Sequence, residues 1–341
     1  MLRIAIANDS LSSLDIMRRV ILSQPGYGIA WVARDGAEAV RKCLQDPPDL
    51  ILMDVVLPVM DGVAATNRIM RESPAAILIV TSSVSGNSGK ILQAMGGGAL
   101  DVVQTPMLGP GGQITGGKEL LAKIERLSRL VYKPSVSPSV RIENDTPPTL
   151  LDPPPLVAIG SSAGGPKALA TILGQLPSDF AGAVMVVQHV DGEFALRLAE
   201  WLNSQTVLPV QVAEEGTVPA AGSVLVARGD RHLIMSPGMR LAYTPEPRDS
   251  SYWPSIDVFF SSVARHRCTK AIAVLLTGMG RDGARGLLDL RRAGWRTIAQ
   301  DEASSVVYGM PKAAVEIDAA CEVLPLSEIA EAIVSFIMRK K

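Results

Sequence analysis

"LVAIGSSAGGPKAL", residues 156–169, is the stretch on which the reading of the fold turns. An apolar run ends at Gly160, two serines follow, and then come two glycines, a proline and a helical pattern. A strand that passes into a helix through glycine is the repeating unit of an α/β sheet. The same residue types also build phosphate-binding loops and nucleophile turns. The rest of the chain has to choose between these uses.

Downstream, apolar runs recur at 183–188, 223–227 and 272–276, and a helical pattern near 327–339 closes the chain. Upstream, "LRIAI", "IAWVA", "DLILM", "AILIV" and "LDVV" read as buried strands, with helices over 11–23, 36–45, 62–72, 87–95 and 118–131 between them. Regular alternation of this kind predicts the α/β class, with two doubly wound parallel-sheet domains. Residues 133–155, "KPSVSPSVRIENDTPPTLLDPPP", lose all periodicity and gain proline and serine, so they read as a linker. The expected division is 1–132, a linker over 133–155, and 156–341.

Composition limits the function. The chain has 341 residues, 47% of them hydrophobic, with a formal net charge of −1. That balance predicts neither nucleic acid nor an anionic membrane as a partner. No apolar run approaches the roughly 20 residues that span a bilayer, and Asn8-Asp9 interrupts the N-terminal run too early for a signal peptide. Cys43, Cys268 and Cys321 form neither a metal spacing nor an even disulfide set. A cytoplasmic location is expected.

In open parallel sheets, functional groups gather at the carboxyl ends of strands. In the first half those ends carry Asn8 and Asp9, then Asp54, then Thr81. Carboxylates brought together there suit a hard cation such as Mg²⁺, with Asp54 as the nucleophile that forms an acyl phosphate. In "LILMDVVLPVMDG", residues 50–62, Asp54, Pro58 and Asp61-Gly62 follow a buried strand. With "AIANDS" before it and "ILIVTSS" after it, the segment resembles a response-regulator receiver domain, which has a flavodoxin-like fold. The resemblance implies Asp54 as phosphoacceptor, Asp9 and Asp54 as Mg²⁺ ligands, Thr81 as switch hydroxyl, and a histidine kinase as phosphodonor. Three positions depart from the pattern. Thr105, in "ALDVVQTPM", stands where receivers usually carry lysine, Val102 stands at the aromatic switch position, and Asn8 replaces one of two acids.

In the second half, Gly160–Gly164 fits G-x-S-x-G, which places Ser162 on a sharp turn past the sheet edge. Residues 156–169 contain neither G-x-G-x-x-G nor the Walker A spacing, so a phosphate-cradling reading of that loop is not supported. A serine nucleophile needs a base, and the chain has three histidines. His189 ends the apolar run "AVMVVQ" and converges on Ser162; His232 reads as a turn-to-strand residue, and His266, among cations near a helix end, as solvated. Asp282, in the glycine-rich loop of "AVLLTGMGRDGARGL", is the preferred orienting acid. Spacing alone does not separate it from Asp191, Asp230 and Asp257.

The blocks "GSSAGGPKAL", "VVQHV", "PSIDVFF", "LLTGMGRDGARGL" and "IAQDEASSVVYGMPKAA" resemble those of the CheB-type protein-glutamate methylesterases, and "ALDVVQTP" resembles their surface-sensing, Wsp-like subgroup. The resemblance implies a Rossmann-like catalytic domain with Ser162 as nucleophile, His189 as base, Asp282 as orienter and the Met279 N–H as oxyanion donor. It implies no esterase cofactor, and methyl-accepting chemoreceptor helices as substrate. Receptor glutamine deamidation by the same chemistry, and gating through Asp54, belong to the same expectation. Trp253 stands where the family often has arginine. Two other readings are a non-catalytic receptor- or kinase-binding adaptor and a generic serine esterase.

Overall fold

The computed structural model describes residues 1–132, 154–248, 250, 252–266 and 271–339. The chain divides into two compact units, Met1–Pro134 and Ser135–Lys341. Most of the expected linker (133–153) and Cys268 lie outside the described residues.

The first unit runs β1 (Leu2–Ala7), α1 (Leu11–Leu22), β2 (Tyr27–Ala33), α2 (Gly36–Gln45), β3 (Leu50–Asp54), α3 (Gly62–Glu72), β4 (Ala76–Thr81), α4 (Ser88–Gly96) and β5 (Asp101–Gln104). A short antiparallel pair follows, β6 (Met107–Leu108) and β7 (Ile114–Thr115), and then α5 (Gly117–Tyr132). The five main strands form a parallel sheet in the order β2-β1-β3-β4-β5. The central strands β3 and β4 are covered on both faces, which is why they read as unbroken apolar runs. Local sequence starts the helices: Ser10, Asp35 and Asp61 each accept a hydrogen bond from the third residue beyond, as N-caps do.

One charge cluster lies inside this unit. Asp101, buried at the start of β5, accepts from Lys123 Nζ at 3.0 Å and from Arg126, both on α5. Burial alone would raise its pKa, but the two cations outweigh burial and hold the carboxyl below the usual range.

The second unit runs β8 (Leu156–Ser161), α6 (Gly165–Leu173), β9 (Ala183–Gln188), α7 (Gly192–Asn203), β10 (Val210–Val212), β11 (Val224–Val226), β12 (His232–Ser236) and β13 (Arg240–Thr244). It continues with α8 (Ile256–Val263), β14 (Ala271–Leu275), α9 (Ala284–Arg292), β15 (Arg296–Gln300), α10 (Met310–Glu316), β16 (Glu322–Leu324) and α11 (Leu326–Met338). Seven parallel strands pair in the order β10-β11-β9-β8-β14-β15-β16, and β12 and β13 form a separate antiparallel hairpin. The four strands expected from the apolar runs are β8, β9, β11 and β14. The short strands β10, β15 and β16 and the hairpin add to them. Phe259 and Phe260 of α8 pack with Leu233 and Met235 of β12 and Leu241 of β13, so the hairpin closes one side of the core.

The Asp101 cluster gives the first prediction. Asp101→Ala leaves Lys123 buried without its carboxylate, so the first unit should lose about 3–5 kcal/mol. Urea unfolding followed by a probe in residues 1–132 measures the loss.

Candidate active site

The parallel pairing of β8 with β9 sets Gly160 beside Val187 and Ser161 beside Gln188. Ser162 and His189 are the next residue on each strand, and His189 N donates to Ser161 O at 3.1 Å. On the other flank, Ser162 N donates to Thr277 O at 3.0 Å, just past the end of β14. Ser162, His189 and the loop holding Asp282 therefore meet at the carboxyl ends of three adjacent strands. The chain leaves β8 toward β9 and leaves β14 toward β15, so the crevice between β8 and β14 is the topological switch point of the sheet.

Partners separate the two serines. The Ser161 hydroxyl is buried and donates to Gln188 Oε1 at 2.6 Å, while Gln188 Nε2 donates to Ser162 O at 2.9 Å. Ser161 is a structural peg, and Gln188 fixes the Ser162 backbone. Two glycines make the turn possible. Gly164 has φ +82, and a Cβ there would meet Val306 at 2.8 Å. A Cβ on Gly278 would lie 2.7 Å from the Ser162 Cβ and 2.2 Å from Met310 Sδ. The Gly278 carbonyl accepts from Gly309 N and Met310 N at the start of α10, which pins the loop against the serine. In the next residue, the Met279 N–H donates to no group among the described residues.

His189 Nε2 lies 2.8 Å from Asp282 Oδ2. Asp282 is buried and also accepts from Ser255 Oγ at 2.8 Å, Ile256 N at 2.7 Å and Asp257 N at 3.1 Å. Burial pushes its pKa up, but the His189 hydrogen bond and charge, together with the amides opening α8, hold the carboxyl below its ordinary range. A carboxylate only accepts, so Nε2 carries the imidazole proton and Nδ1 keeps the lone pair. The two ring nitrogens thus exchange the roles they have in the chymotrypsin template. Tyr252 stacks on the ring with centroids 4.8 Å apart.

The competing acids have other partners. Asp191 caps α7 through Phe194 N, Asp257 Oδ1 accepts from Gly286 N at 2.8 Å, and Asp230 pairs with Arg228 at 3.4 Å. His266 is half-buried rather than solvated. Its Nε2 lies 3.2 Å from Met235 O, and burial lowers its pKa, because α8 turns its end back onto the hairpin. Sequence reasoning missed Gln188, Gln300, Thr277, Ser255 and Tyr252. Gln188 carried a signal, as the polar residue that closes the expected strand 183–188, whereas Gln300 closes β15, a strand the sequence did not reveal. Gln300 Oε1 accepts Thr277 N at 2.9 Å.

In the first unit, Asp9, Asp54 and Thr81 also lie at strand carboxyl ends. Asn8 Nδ2 donates to Asp54 Oδ2 at 2.8 Å and Val56 N to Oδ1 at 2.9 Å. Burial, with the Asp9 charge adding to it, pushes Asp54 up to about 6. Thr81 is buried, and its hydroxyl accepts from Asn87 Nδ2 at 2.8 Å. The Thr105 hydroxyl is buried with no partner among the described residues, and Val102 is buried in β5.

Both units match known protein families. Residues 157–333 match the family model for CheB methylesterase, and residues 4–109 match the response regulator receiver domain. The chain belongs to the CheB methylesterase family. A protein-glutamate methylesterase/protein-glutamine glutaminase of Burkholderia thailandensis is 50% identical over 342 aligned positions, covering 100% of this chain and 99% of that protein. One of the same name from Bordetella avium is 50% identical over 330 positions, covering 96% and 95%. The crystal structure of the Thermotoga maritima CheB methylesterase catalytic domain is 35% identical, with a TM-score of 0.52, and covers 54% of this chain and 99% of that one. This CheB methylesterase family member thus joins a receiver to the esterase unit. Among its described residues no helix is long and apolar enough to cross a membrane.

Gly278 gives the second prediction. Met310 can move away from a new methyl group, but the Ser162 Cβ, carried on a backbone tied to Thr277 and Gln188, cannot. Gly278→Ala should therefore cost about 1–3 kcal/mol of stability, read as a lowered thermal midpoint of the esterase unit.

Proposed function

We propose that this protein hydrolyses glutamate methyl esters on the cytoplasmic helices of methyl-accepting chemoreceptors, with Ser162, His189 and Asp282 as its catalytic residues. The hydrogen bond between His189 and a buried, fully solvated-by-protein Asp282 is the observation that carries the reading. His189 Nδ1 takes the proton as Ser162 Oγ attacks the ester carbonyl, and the Met279 N–H receives the oxyanion. The tetrahedral adduct collapses, His189 returns the proton to the methoxy oxygen, and methanol leaves. Water then attacks the acyl-serine with the same base, which frees the glutamate carboxyl and restores Ser162. Asp282 keeps its charge throughout and stabilises the imidazolium. The double name of the relatives extends the reading to receptor glutamine, where ammonia replaces methanol as leaving group.

The first unit is the regulatory part of the proposal, with 133–155 as the linker to a catalytic domain over 156–341. Asp54 accepts a phosphoryl group from a histidine kinase. Among the described residues no group of three or more His, Cys, Asp and Glu side chains is placed to bind a metal. Two mutually repelling carboxylates, Asp9 and Asp54, nonetheless fit Mg²⁺, a hard cation that keeps several waters. Bound there, it would neutralise the charge of the incoming phosphoryl group. Thr81 is the switch hydroxyl, held by Asn87. Thr105 follows β5, two strands from β3, a gap of about 10 Å at the usual strand spacing. A threonine hydroxyl cannot bridge it as a lysine does, so gating runs through Thr81 and is weak.

The test is methanol release from a methyl-esterified chemoreceptor fragment, with and without a small phosphodonor. Ser162→Ala should be inactive with an intact fold, and Asp282→Asn should lower kcat by about 10⁴-fold. Asp54→Asn should keep basal activity and lose the response to the phosphodonor. Near-normal turnover by Ser162→Ala would remove the serine mechanism, and methanol release from small esters but not from receptor would favour a generic esterase.

A further inference from the structure

His232 lies outside the triad, yet it is completely buried and both ring nitrogens have partners. Ser255 N lies 3.0 Å from Nδ1, and Nε2 lies 3.2 Å from Pro247 O. A backbone N–H only donates and a carbonyl only accepts, so Nδ1 is bare and Nε2 carries the proton. The ring is therefore the neutral Nε2–H tautomer. Trp253 stacks on it with centroids 4.4 Å apart.

What His232 holds leads directly to the catalytic pair. Ser255 caps α8, accepting from Val258 N, and donates its hydroxyl to Asp282 Oδ1. The next two amides, Ile256 N and Asp257 N, reach the same carboxylate. At the other end of the segment, Tyr252 lies against the His189 ring. One stretch, Tyr252–Asp257, thus touches both members of the His189–Asp282 pair, and His232 grips it at Ser255.

We propose that His232 is a positioning residue of the esterase, which as a neutral imidazole sets the Tyr252–Asp257 segment and through it the geometry of Asp282 and His189. The role rests on the Ser162–His189–Asp282 reading. A proton on Nδ1 would set one N–H against another at Ser255 and release the segment. Burial lowers the pKa of the ring against the Pro247 carbonyl and the charges of Asp282 and Glu246, while His189 adds to the lowering. Asp257 of α8, the remaining acid on the segment, accepts from Gly286 N. The folded ring binds its proton more weakly than the unfolded chain does. Its contribution to stability is thus complete above the ordinary histidine value of about 6.5 and is lost as pH falls below it.

The experiment uses the full-length protein and steady-state methanol release from the methyl-esterified receptor fragment, between about pH 5 and 8. His232→Ala should lower kcat by about 10²-fold with KM changed less than about twofold, the signature of a misplaced base. His232→Gln can offer a carbonyl to Ser255 N and an amide to Pro247 O, and should recover kcat to within about fivefold of wild type. The acid limb of kcat/KM should steepen to a two-proton dependence in the wild type and stay a one-proton limb in H232Q. Wild-type kcat in H232A, or an H232Q acid limb that superimposes on the wild-type limb, overturns the proposal. The H232Q profile decides if H232A does not fold. S162A in the same assay separates the two readings: methanol release surviving in S162A defeats the triad itself, whereas an inactive S162A beside unaffected His232 variants defeats only the role of His232.

Discussion

Asp282 sets the terms for the esterase unit. A carboxylate taken fully out of water costs several kcal/mol unless its lone pairs are filled. Here four donors fill them: the His189 ring, the Ser255 hydroxyl and the first two amides of α8. The helix N-terminus adds a favourable field for the negative charge. The four donors answer to three separate constraints. His189 is placed by β9, the amides by α8, and Ser255 by the buried His232 of the hairpin. The hairpin and α8 therefore do more than close the core. They make it possible for an ionised acid to sit where the imidazole needs it.

Both units place their chemistry by the same rule. In the first, the chain leaves β1 toward β2 and β3 toward β4, so a crevice opens between β1 and β3, with Asp9 and Asp54 at its lips. In the second, the crevice between β8 and β14 carries Ser162 and the Asp282 loop. Strand ends at a switch point have no crossing helix above them, so side chains there meet solvent and substrate while their backbones stay in the sheet. The glycines at 164 and 278 mark where that backbone must come unusually close to its neighbours.

This rule explains what was legible in the sequence. Buried parallel strands are apolar runs, and the polar residue that ends a run is the one carried to the crevice. Asp54, Thr81, Ser162 and His189 could be read in this way. The short strands β10, β15 and β16 could not, because three to five residues at the flanks of a sheet give too little periodicity. Asp282 could be favoured but not chosen on spacing. What sets it apart is that Asp191, Asp230 and Asp257 have other partners in space. Tyr252, Ser255 and His232 were invisible for a related reason. Their roles come from contacts across 23 to 63 residues, and no local pattern of residue types encodes such contacts. The reading of His266 as solvated failed the same way, since its cationic neighbours in sequence say nothing about the hairpin beneath it.

The departures of the receiver unit are best understood as a pair. Relative to the usual receiver pattern, Asn8 removes one negative charge from beside Asp54, and Thr105 removes one positive charge. The two losses cancel, so the field at Asp54 changes less than either substitution alone would imply. The Asn8 amide also donates to Asp54 at 2.8 Å, a neutral hydrogen bond in place of a charge-assisted one. What the pair does not restore is reach. An ammonium on a four-carbon stem can follow a phosphoryl oxygen across the sheet and carry β5 with it, whereas Asn8 stays fixed beside β3 and the Thr105 hydroxyl stays buried with no partner among the described residues. On the proposed reading of Asp54, charge balance there and mechanical coupling to β5, which a lysine would serve together, are separated, and only the first is retained.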